Sequence, residues 1–436
     1  MYKLNNITIV IIVLYFILRT YGILELLPGL WVFPLAFIII QSIHIVLNQQ
    51  PKVTKFLFKE SRWIVLSFFI LLTYVSFQYG NFKLETTFTY LLTSIPFYII
   101  GFSNGIKLND SFLKKTTVSY FLFLSIYILP KTVTVLSSGS FNSDLFISLF
   151  VSSKEDTSVI FFLPFVAFIT IYGFKLLFES KKSAIVNTIA ALILFLNILA
   201  LFISSKAGPI AVIVFAIIIY YFKGERRKIK KYSYILVSSL SILLFVFGLA
   251  SGFFGELGSL KAKSSAFIRF VDSGFLFNDE ILNNITSDRW TTDVYSLKQF
   301  LNKPLYGNGA YLETVEGMLG DAKSFTTAAG GHSFVLDTMA YYGIFGLPII
   351  LILFKFAKDG FRYFEVIKSN KFESKKVLLY ASLVSSVFIT NILNTGFLFS
   401  TFDNFLFLLA GFYLGKYYRI RKKQLFNGIS LSSRSV

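Results

Sequence analysis

The stretch from residue 185 to residue 231, "IVNTIAALILFLNILALFISSKAGPIAVIVFAIIIYYFKGERRKIKK", decides the fold class. Two apolar runs flank a tight turn, and a run of basic residues follows the second of them. A bilayer core about 30 Å thick needs about 20 apolar residues per helix, and a backbone inside it must satisfy its own hydrogen bonds. The pattern therefore predicts two neighbouring membrane-spanning helices with a basic segment at one membrane surface.

The same pattern recurs along the whole chain of 436 residues, of which 55% are hydrophobic and 18% aromatic. Soluble domains average about 45–50% apolar residues. The fold class predicted is an all-α integral membrane protein, with residues 1–436 forming a single polytopic domain. We see no internal repeat, which weakens a transporter interpretation, since many transporter folds contain two related halves. We expect about twelve membrane-spanning helices, near residues 7–24, 29–47, 63–79, 88–102, 117–136, 157–178, 185–203, 209–222, 232–250, 340–357, 377–393 and 404–418.

Basic residues distinguish the two sides of this membrane domain. If the amino terminus is cytoplasmic, the even-numbered gaps between spans carry clusters such as "KGERRKIKK", and "RIRKKQ" follows the last span. Most of the 42 Lys and Arg residues then fall on the cytoplasmic side, as the positive-inside rule requires. Both termini are therefore predicted to be cytoplasmic. Topology, rather than nucleic-acid binding, explains the formal net charge of +19.

One gap between spans is much longer than the others. Residues 251–331 form a loop of about 80 residues before the tenth span, on the side that the alternation makes external. Structureless loops longer than about 12–15 residues are uncommon in compact proteins. We therefore expect this loop to be a functional element that contains short helices of its own.

Three external cations are candidate site residues. Lys206 lies in the tight turn "ISSKAGP" before an apolar helix, where a cation and a helix amino terminus can meet the same phosphate. Arg269 and Arg289 lie in the long loop beside Phe270 and Trp290. Guanidinium suits bidentate contact with phosphate. For each of the three, an ordinary solvated or aromatic-packed surface residue is the alternative.

His332 is one of only two histidines, at the point where the polar loop passes into an apolar run. A structural or interfacial histidine is the alternative to a functional one. The sequence has no H-x-x-H, H-E-x-x-H or carboxylate cluster with metal-ligand spacing, and no cysteine. If the protein is an enzyme, its mechanism is therefore expected to be metal-independent. No nucleotide-binding motif occurs in a fitting context, so we expect no cofactor.

Three segments taken in order resemble the O-antigen polymerase and O-antigen ligase superfamily. They are "LFISSKAGPIAVIVF" at 201–215, "SDRWTTDVYSLKQFLNKPLYGNGAY" at 287–311 and "GHSFVLDTMAYYGIFGLPIILILF" at 331–354. One departure concerns the turn, where this chain has Ser205-Lys206 and members of the superfamily often have Ser-Arg. The residues that carry the resemblance are Arg289-Trp290, Pro304-Leu305 with Gly307 and Gly309, and His332-Ser333 with Leu336, Gly343 and Gly346.

The resemblance implies a C-type glycosyltransferase architecture in the bacterial inner membrane, with the active site facing the periplasm. It implies a glycan on undecaprenyl pyrophosphate as donor, and membrane lipids as surroundings. A chain-length regulator and a flippase of the same pathway are the partners that such an enzyme would have, and nucleic acid is not expected. Within the superfamily we favour the Wzy-type polymerase of oligosaccharide repeat units.

The resemblance also implies roles for the site residues. Arg289 and Arg269, assisted by Lys206, would stabilise negative charge on the departing pyrophosphate. Trp290 would contact the same substrate. His332 would either accept a proton from the attacking sugar hydroxyl or donate a hydrogen bond to phosphate. The alternatives to a polymerase are the ligase that transfers polysaccharide to lipid A core and, in another class, a polysaccharide flippase or transporter.

Overall fold

The computed structural model describes a helical bundle, in which the described residues form helices and turns and no strand. The described residues are 2–19, 27, 29–77, 84–138, 145, 148–149, 158–178, 184–203, 207–224, 265, 289–307, 333–392 and 403–426. The helices are α1 (Tyr2–Leu18), α2 (Val32–Leu47), α3 (Pro51–Glu60), α4 (Arg62–Phe77), α5 (Leu84–Ile106), α6 (Asp110–Ser137), α7 (Ser158–Phe178), α8 (Ala184–Ile203), α9 (Ala207–Gly224), α10 (Arg289–Asn302), α11 (Phe334–Tyr342), α12 (Leu347–Val366), α13 (Lys371–Ile392) and α14 (Asp403–Phe426).

Helices lie at eleven of the twelve predicted span positions. The remaining position, the ninth, near residues 232–250, lies outside the described residues. Two helical runs among the described residues are both long and apolar enough to cross a membrane, Asp110–Ser137 and Val335–Val366. Shorter apolar helices of 10–17 residues accompany them, including Val32–Leu47 and Thr188–Leu201. The all-helical class is thus confirmed, and the number of crossings stays a prediction.

The tenth predicted span, residues 340–357, needs a correction. The apolar run is divided by a 3₁₀ turn at Gly343–Gly346, with α11 before it and α12 after it. The backbone of Gly343 has φ +60°, a left-handed conformation that ends α11, and Pro348 lies at the start of α12. The sequence alone showed an uninterrupted apolar run, because the residues that break the helix are themselves not polar.

Among the described helices, α5 and α14 have the most extensive contact, which the sequence reasoning missed. Both helices carry a G-x-x-x-G pattern, "GFSNG" at 101–105 and "GFYLG" at 411–415. Glycines four apart share one helix face, and their small size lets two backbones approach. A Cβ on Gly105 would overlap the carbonyl oxygen of Phe412, and a Cβ on Gly411 would overlap that of Tyr98. The two helices therefore touch backbone to backbone.

A buried polar chain connects this pair to α1. Ser94 of α5 donates a hydrogen bond to Asn404 Oδ1 of α14 at 3.1 Å, and Asn404 Nδ2 donates to the Tyr15 hydroxyl of α1 at 2.7 Å. Buried polar groups in an apolar bundle must be paired, so this chain fixes which helices are neighbours.

Ion pairs lie at one end of the bundle. Lys416 of α14 is buried and contacts Asp110 at 2.5 Å and Glu373, which lie in the first turns of α6 and α13 respectively. Lys355 of α12 donates to Glu60 of α3 at 2.8 Å. Lys416 thus brings together two of the segments that are predicted to lie on the cytoplasmic side, those that contain Asp110 and Glu373.

Candidate active site

Helices α10 and α11 carry the second and third segments singled out in the sequence, and they pack against each other. Ser296 of α10 is fully buried, and its hydroxyl donates to Asp337 Oδ1 of α11 at 2.8 Å. The other carboxylate oxygen, Oδ2, accepts the backbone N–H of Ser333 at 3.2 Å. One buried carboxylate therefore joins α10 to the first turn of α11.

The start of α11 is fixed by a reciprocal cap. Ser333 precedes the helix in an extended conformation, and its hydroxyl accepts the N–H of Leu336 at 3.2 Å. The backbone N–H of Ser333 in turn donates to Asp337. Such paired bonds satisfy donors that a helix terminus leaves open. The residue immediately before this cap is His332.

A second contact lies at the other end of α10 and α11. The N–H of Ile344 donates to the carbonyl of Pro304 at 2.8 Å. Gly307, with φ +69°, lies so close to Tyr341 that a Cβ would overlap its carbonyl. A Cβ at Gly343 would lie 2.5 Å from the carbonyl carbon and oxygen of Leu305. The glycines of both segments therefore let the backbones of the two turns touch each other.

These two contacts give the relative direction of the helices. Along α10 the contacts run from Ser296 to Pro304, and along the partner segment they run from Asp337 to Ile344. Residue numbers increase in the same direction along both series of contacts, so α10 and α11 run parallel. Their amino ends consequently lie at the same end of the pair.

Arg289 is the first residue of α10. It lies seven residues before Ser296, close to two full turns at 3.6 residues per turn, so its Cα lies on the helix face that meets α11. Trp290 is the next helical residue. The predicted short helix in the long loop is thus present, and its first residue is one of the predicted site residues.

The other predicted site residues lie outside the described residues. Lys206 falls between the end of α8 and the start of α9, which begins at Ala207, slightly before the predicted start near Pro209. Arg269 falls in the long loop, and His332 falls directly before Ser333. The helix after His332 begins at Phe334, and Ser333 is its cap.

Two residues at this contact, Ser296 and Asp337, were not predicted as site residues from the sequence. Ser296 carried no signal on its own. A serine before an apolar run with an acidic residue soon after is a capping pattern, and it was the signal that could have located this contact.

The surface beside this contact is apolar. Leu301 is 63% exposed, Leu305 62% and Phe345 55%. They lie on α10 and on the two interlocked turns, away from the amino ends. Within the described residues, no group of three or more His, Cys, Asp or Glu side chains could hold a metal ion.

Residues 190–351 match the family model described as O-antigen ligase. The matched region runs from α8 to the first turn of α12 and contains the whole α10–α11 contact. This match supports the O-antigen ligase and polymerase superfamily for the region that it covers. It also supports a membrane enzyme that acts in the assembly of O-antigen or a related polysaccharide. No curated protein matches the chain.

Proposed function

We propose that the protein is a glycosyltransferase that joins undecaprenyl-pyrophosphate-linked oligosaccharide repeat units into O-antigen or a related surface polysaccharide. The observation that carries the proposal is the parallel pairing of α10 and α11 through Ser296 and Asp337. It brings the start of α10, where Arg289 lies, to the same end as Ser333, the residue after His332. In the proposed enzyme this common end faces the periplasm.

The reaction makes two chemical demands at that end. The bond between the donor sugar's anomeric carbon and the pyrophosphate oxygen breaks, and its electron pair leaves with the lipid pyrophosphate. The acceptor hydroxyl oxygen forms the new bond to the anomeric carbon and releases a proton. The site therefore needs cations for the leaving group and a group that receives the proton.

The predicted residues fit these demands. Arg289, with Arg269 and Lys206, supplies positive charge to the departing pyrophosphate, and Trp290 contacts the donor beside it. Histidine is the side chain that most readily changes charge near neutral pH, so the imidazole of His332 can accept the proton or bind phosphate. Asp337 acts indirectly, because its bond to the Ser333 N–H positions the backbone next to His332.

A donor with a lipid tail also fits the surface at the carboxyl ends of α10 and α11, away from the common end. The side chains of Leu301, Leu305 and Phe345 are exposed at the end of α10 and in the two turns that follow α10 and α11. A polyprenyl chain that leaves the pyrophosphate at the amino ends of α10 and α11 would run along this face. Water-soluble nucleotide sugars would gain nothing from it, which favours the lipid-linked donor.

The test compares two cations on the same helix. Purified protein is supplied with lipid-linked repeat units in liposomes, and glycan length is measured on gels. Arg289→Ala is expected to reduce product by at least a hundredfold, since one well-placed group stabilises developing charge by a few kcal/mol. Lys298→Ala, on an exposed position of α10, is the matched control and should leave product unchanged. Equal activity of the two variants would reject the role of Arg289.

Two substitutions of His332 separate its two proposed roles. His332→Gln can donate a hydrogen bond to phosphate but cannot accept a proton at neutral pH, whereas His332→Ala can do neither. If His332 is the base, both variants lose activity to the same extent. If it binds phosphate, His332→Gln retains much more activity than His332→Ala.

Ligation of finished polysaccharide to lipid A core is the second candidate, favoured by the description of the matching family model. The two activities leave different products in a deletion strain. Loss of a polymerase leaves cores capped with a single repeat unit, whereas loss of a ligase leaves cores uncapped. We expect single-repeat capping.

A flippase would move lipid-linked repeats without lengthening them. The liposome assay resolves this case as well, because donor accessibility on each leaflet can be followed beside glycan length. Transport of repeats without longer glycans would reject the enzyme.

A further inference from the structure

A buried positive charge lies at the end of α1. Arg19 is only 8% exposed, and its backbone N–H donates to the Tyr15 carbonyl at 3.0 Å, so the residue continues the last turn of the helix. One turn earlier, the ring of Phe16 stacks on Tyr120 of α6 at 5.0 Å and contacts Phe405 of α14 at 5.5 Å. The position of Arg19 therefore rests on the packed aromatic core of the bundle.

Arg19 lies at the opposite end of the bundle from the ion pairs of Lys416. Lys115 of α6 donates to Asn6 Oδ1 of α1 at 3.4 Å, which places the start of α1 beside the start of α6. Asp110, at the start of α6, contacts Lys416. At 1.5 Å per residue, Arg19 lies about 20 Å farther along α1 than Asn6. The predicted topology makes this end of α1 the external one.

One face of the Arg19 guanidinium is covered by the ring of Trp31. The guanidinium carbon lies 4.3 Å from the ring centroid, a cation–π contact. This contact leaves the N–H groups without acceptors, because all five lie in the guanidinium plane. Within the described part of the chain, Nε is buried and has no hydrogen-bond acceptor. The ring therefore stabilises the charge without satisfying its donors.

No carboxylate of the described residues forms an ion pair with Arg19. Arg62 provides a contrast, since it also lies over a tryptophan, Trp63 at 5.4 Å, but is exposed, so that water can satisfy its N–H groups. Arg19 is closed off from water. Burial of a lone charge costs more free energy than one cation–π contact returns. An anion bound to the guanidinium would offset that cost.

The start of α2 adds positive potential beside Arg19. Trp31 is the residue before this helix, and no side chain caps the first turn. The first N–H groups of an uncapped helix carry partial positive charge. Gly29, in the turn before Trp31, has φ +82°, and a Cβ there would meet no atom within 4 Å. The turn that carries Trp31 therefore borders open space that a ligand can occupy.

The side chains around this turn are apolar and exposed. Leu30 is 43% exposed, Val32 47% and Phe33 74%. Tryptophan is enriched at the boundary between membrane and water, where its ring is apolar and its N–H is polar. A buried cation with exposed apolar neighbours suits a ligand that has an anionic head and an apolar chain. A small soluble anion would gain nothing from the apolar side chains.

We propose that Arg19 binds the phosphate of a lipid in the external leaflet. The planar fork of N–H groups donates to two phosphate oxygens while Trp31 covers one face of the guanidinium, and the apolar chain lies along Leu30 and Phe33. A phospholipid and a polyprenyl phosphate both present this chemistry. The site lies outside residues 190–351, the region that matches the family model, and it goes beyond the proposed transfer reaction.

The test compares two arginines that each lie over a tryptophan. Arg19→Met removes the charge and keeps a side chain that packs on the Trp31 ring. Arg62→Met is the matched control. Full-length protein is purified in mild detergent, and retention of three probes is measured by native mass spectrometry. The probes are undecaprenyl phosphate, phosphatidylglycerol and undecaprenol, which has the apolar chain without the phosphate.

Arg19→Met is expected to lower retention of at least one of the two phosphate lipids about tenfold or more, because charge-assisted hydrogen bonds are lost. The lipid that is lost identifies the source of the phosphate. Arg62→Met should change retention less than about twofold, and undecaprenol should bind both variants as it binds wild type. Equal losses for the two variants would overturn the proposal, since general attraction then explains binding. Displacement of the lipid by millimolar inorganic phosphate would also overturn it, in favour of a soluble anion.

The melting temperature of lipid-free protein separates a lipid site from a structural role. Arg19→Met removes a buried charge that has no anion, so it should melt at or above wild type. Added lipid should raise the melting temperature of wild type and not that of the variant. A variant that fails to fold, or melts well below wild type without lipid, would overturn the proposal, because Arg19 then serves packing. These measurements need no glycosyl transfer, so they are independent of the proposed enzyme.

Discussion

The α5–α14 crossing and the α10–α11 contact both depend on glycine, but for different reasons. In the crossing, Gly105 and Gly411 lie within regular helices, where the missing side chain lets two backbones touch. In the α10–α11 contact, Gly307 and Gly343 have positive φ and lie in turns that pack on each other. The crossing holds two long helices together, whereas the α10–α11 contact shapes a short, irregular segment.

The polar bonds of the two regions differ in the same way. At the crossing, the chain of Ser94, Asn404 and Tyr15 pairs three long helices. At the α10–α11 contact, Asp337 bonds a side chain on one helix and a backbone N–H at the start of the other. Substitutions at the crossing should therefore reduce folded protein, while those at the contact should reduce activity first.

The largest effect is expected at the crossing. Gly105→Ala places a methyl group against the carbonyl of Phe412, and the helices must separate along their contact. We expect a loss of about 3 kcal/mol or more in stability, the upper range for overpacking, measured as a fall in melting temperature. At Gly224 an added methyl would meet only the end of the flexible Leu378 side chain, at 2.9 Å, so Gly224→Ala is the control. Similar melting temperatures for the two variants would contradict this account of the crossing.

A substitution at the turn tests whether the α10–α11 contact can fail on its own. Gly343→Ala introduces a Cβ at φ +60° and 2.5 Å from the Leu305 carbonyl, a local cost of about 1–3 kcal/mol. We expect glycan synthesis to fall tenfold or more while most protein remains folded. Ile344→Ala keeps the backbone bond to Pro304 and removes a half-exposed side chain, so it should be nearly silent. Parallel loss of folding and activity in Gly343→Ala would remove the distinction between the two regions.

A smaller effect is expected for the bond between α10 and α11. Ser296→Ala, Asp337→Ala and the double variant form a double-mutant cycle, read by urea-induced unfolding. A buried hydroxyl–carboxylate bond should give a coupling energy of about 1–2 kcal/mol. Strictly additive effects would show that the bond does not join the two helices.

The smallest effect concerns an ion pair outside both regions. Burial raises the pKa of Glu60, but the hydrogen bond and charge of Lys355 outweigh it, so the pKa lies below its ordinary value of 4.5. The ionised form is thus favoured by folding, and this contribution is present above pH 4.5 and is lost as pH falls through the lowered pKa. Glu60→Gln should cost less than about 1 kcal/mol at pH 7, because Lys355 keeps its ion pair with Asp359. The melting-temperature difference from wild type should vanish in acid, and a difference that persists there would exclude the ion pair as its cause.

Much of the bundle could be predicted because apolar length and helix formation are local properties. The helix Asp110–Ser137 contains the predicted span 117–136, and Ser158–Phe178 almost coincides with the predicted 157–178. The α5–α14 crossing was missed although "GFSNG" and "GFYLG" are legible, because two G-x-x-x-G patterns indicate close contacts without saying which helices meet. Partner choice depends on the whole set of buried side chains.

In the candidate site, too, local features could be predicted from the sequence, whereas the pairing of helices could not. Arg289 was predicted from its chemistry and motif, but its relation to Ser333 depends on a parallel helix pair that no spacing within the chain specifies. Asp337 was not predicted as a site residue, because its bonds depend on where α11 begins and on which helix packs against it.

By itself, the sequence determined that the chain forms apolar helices, which of its segments are basic, and which cations and histidine belong to motif-bearing segments, because composition and periodicity act over a few residues. The tertiary structure alone decided that α5 and α14 touch through glycine and that α10 and α11 are parallel. These relations join residues far apart in the chain, and packing selects them through the close fit of complete helix surfaces.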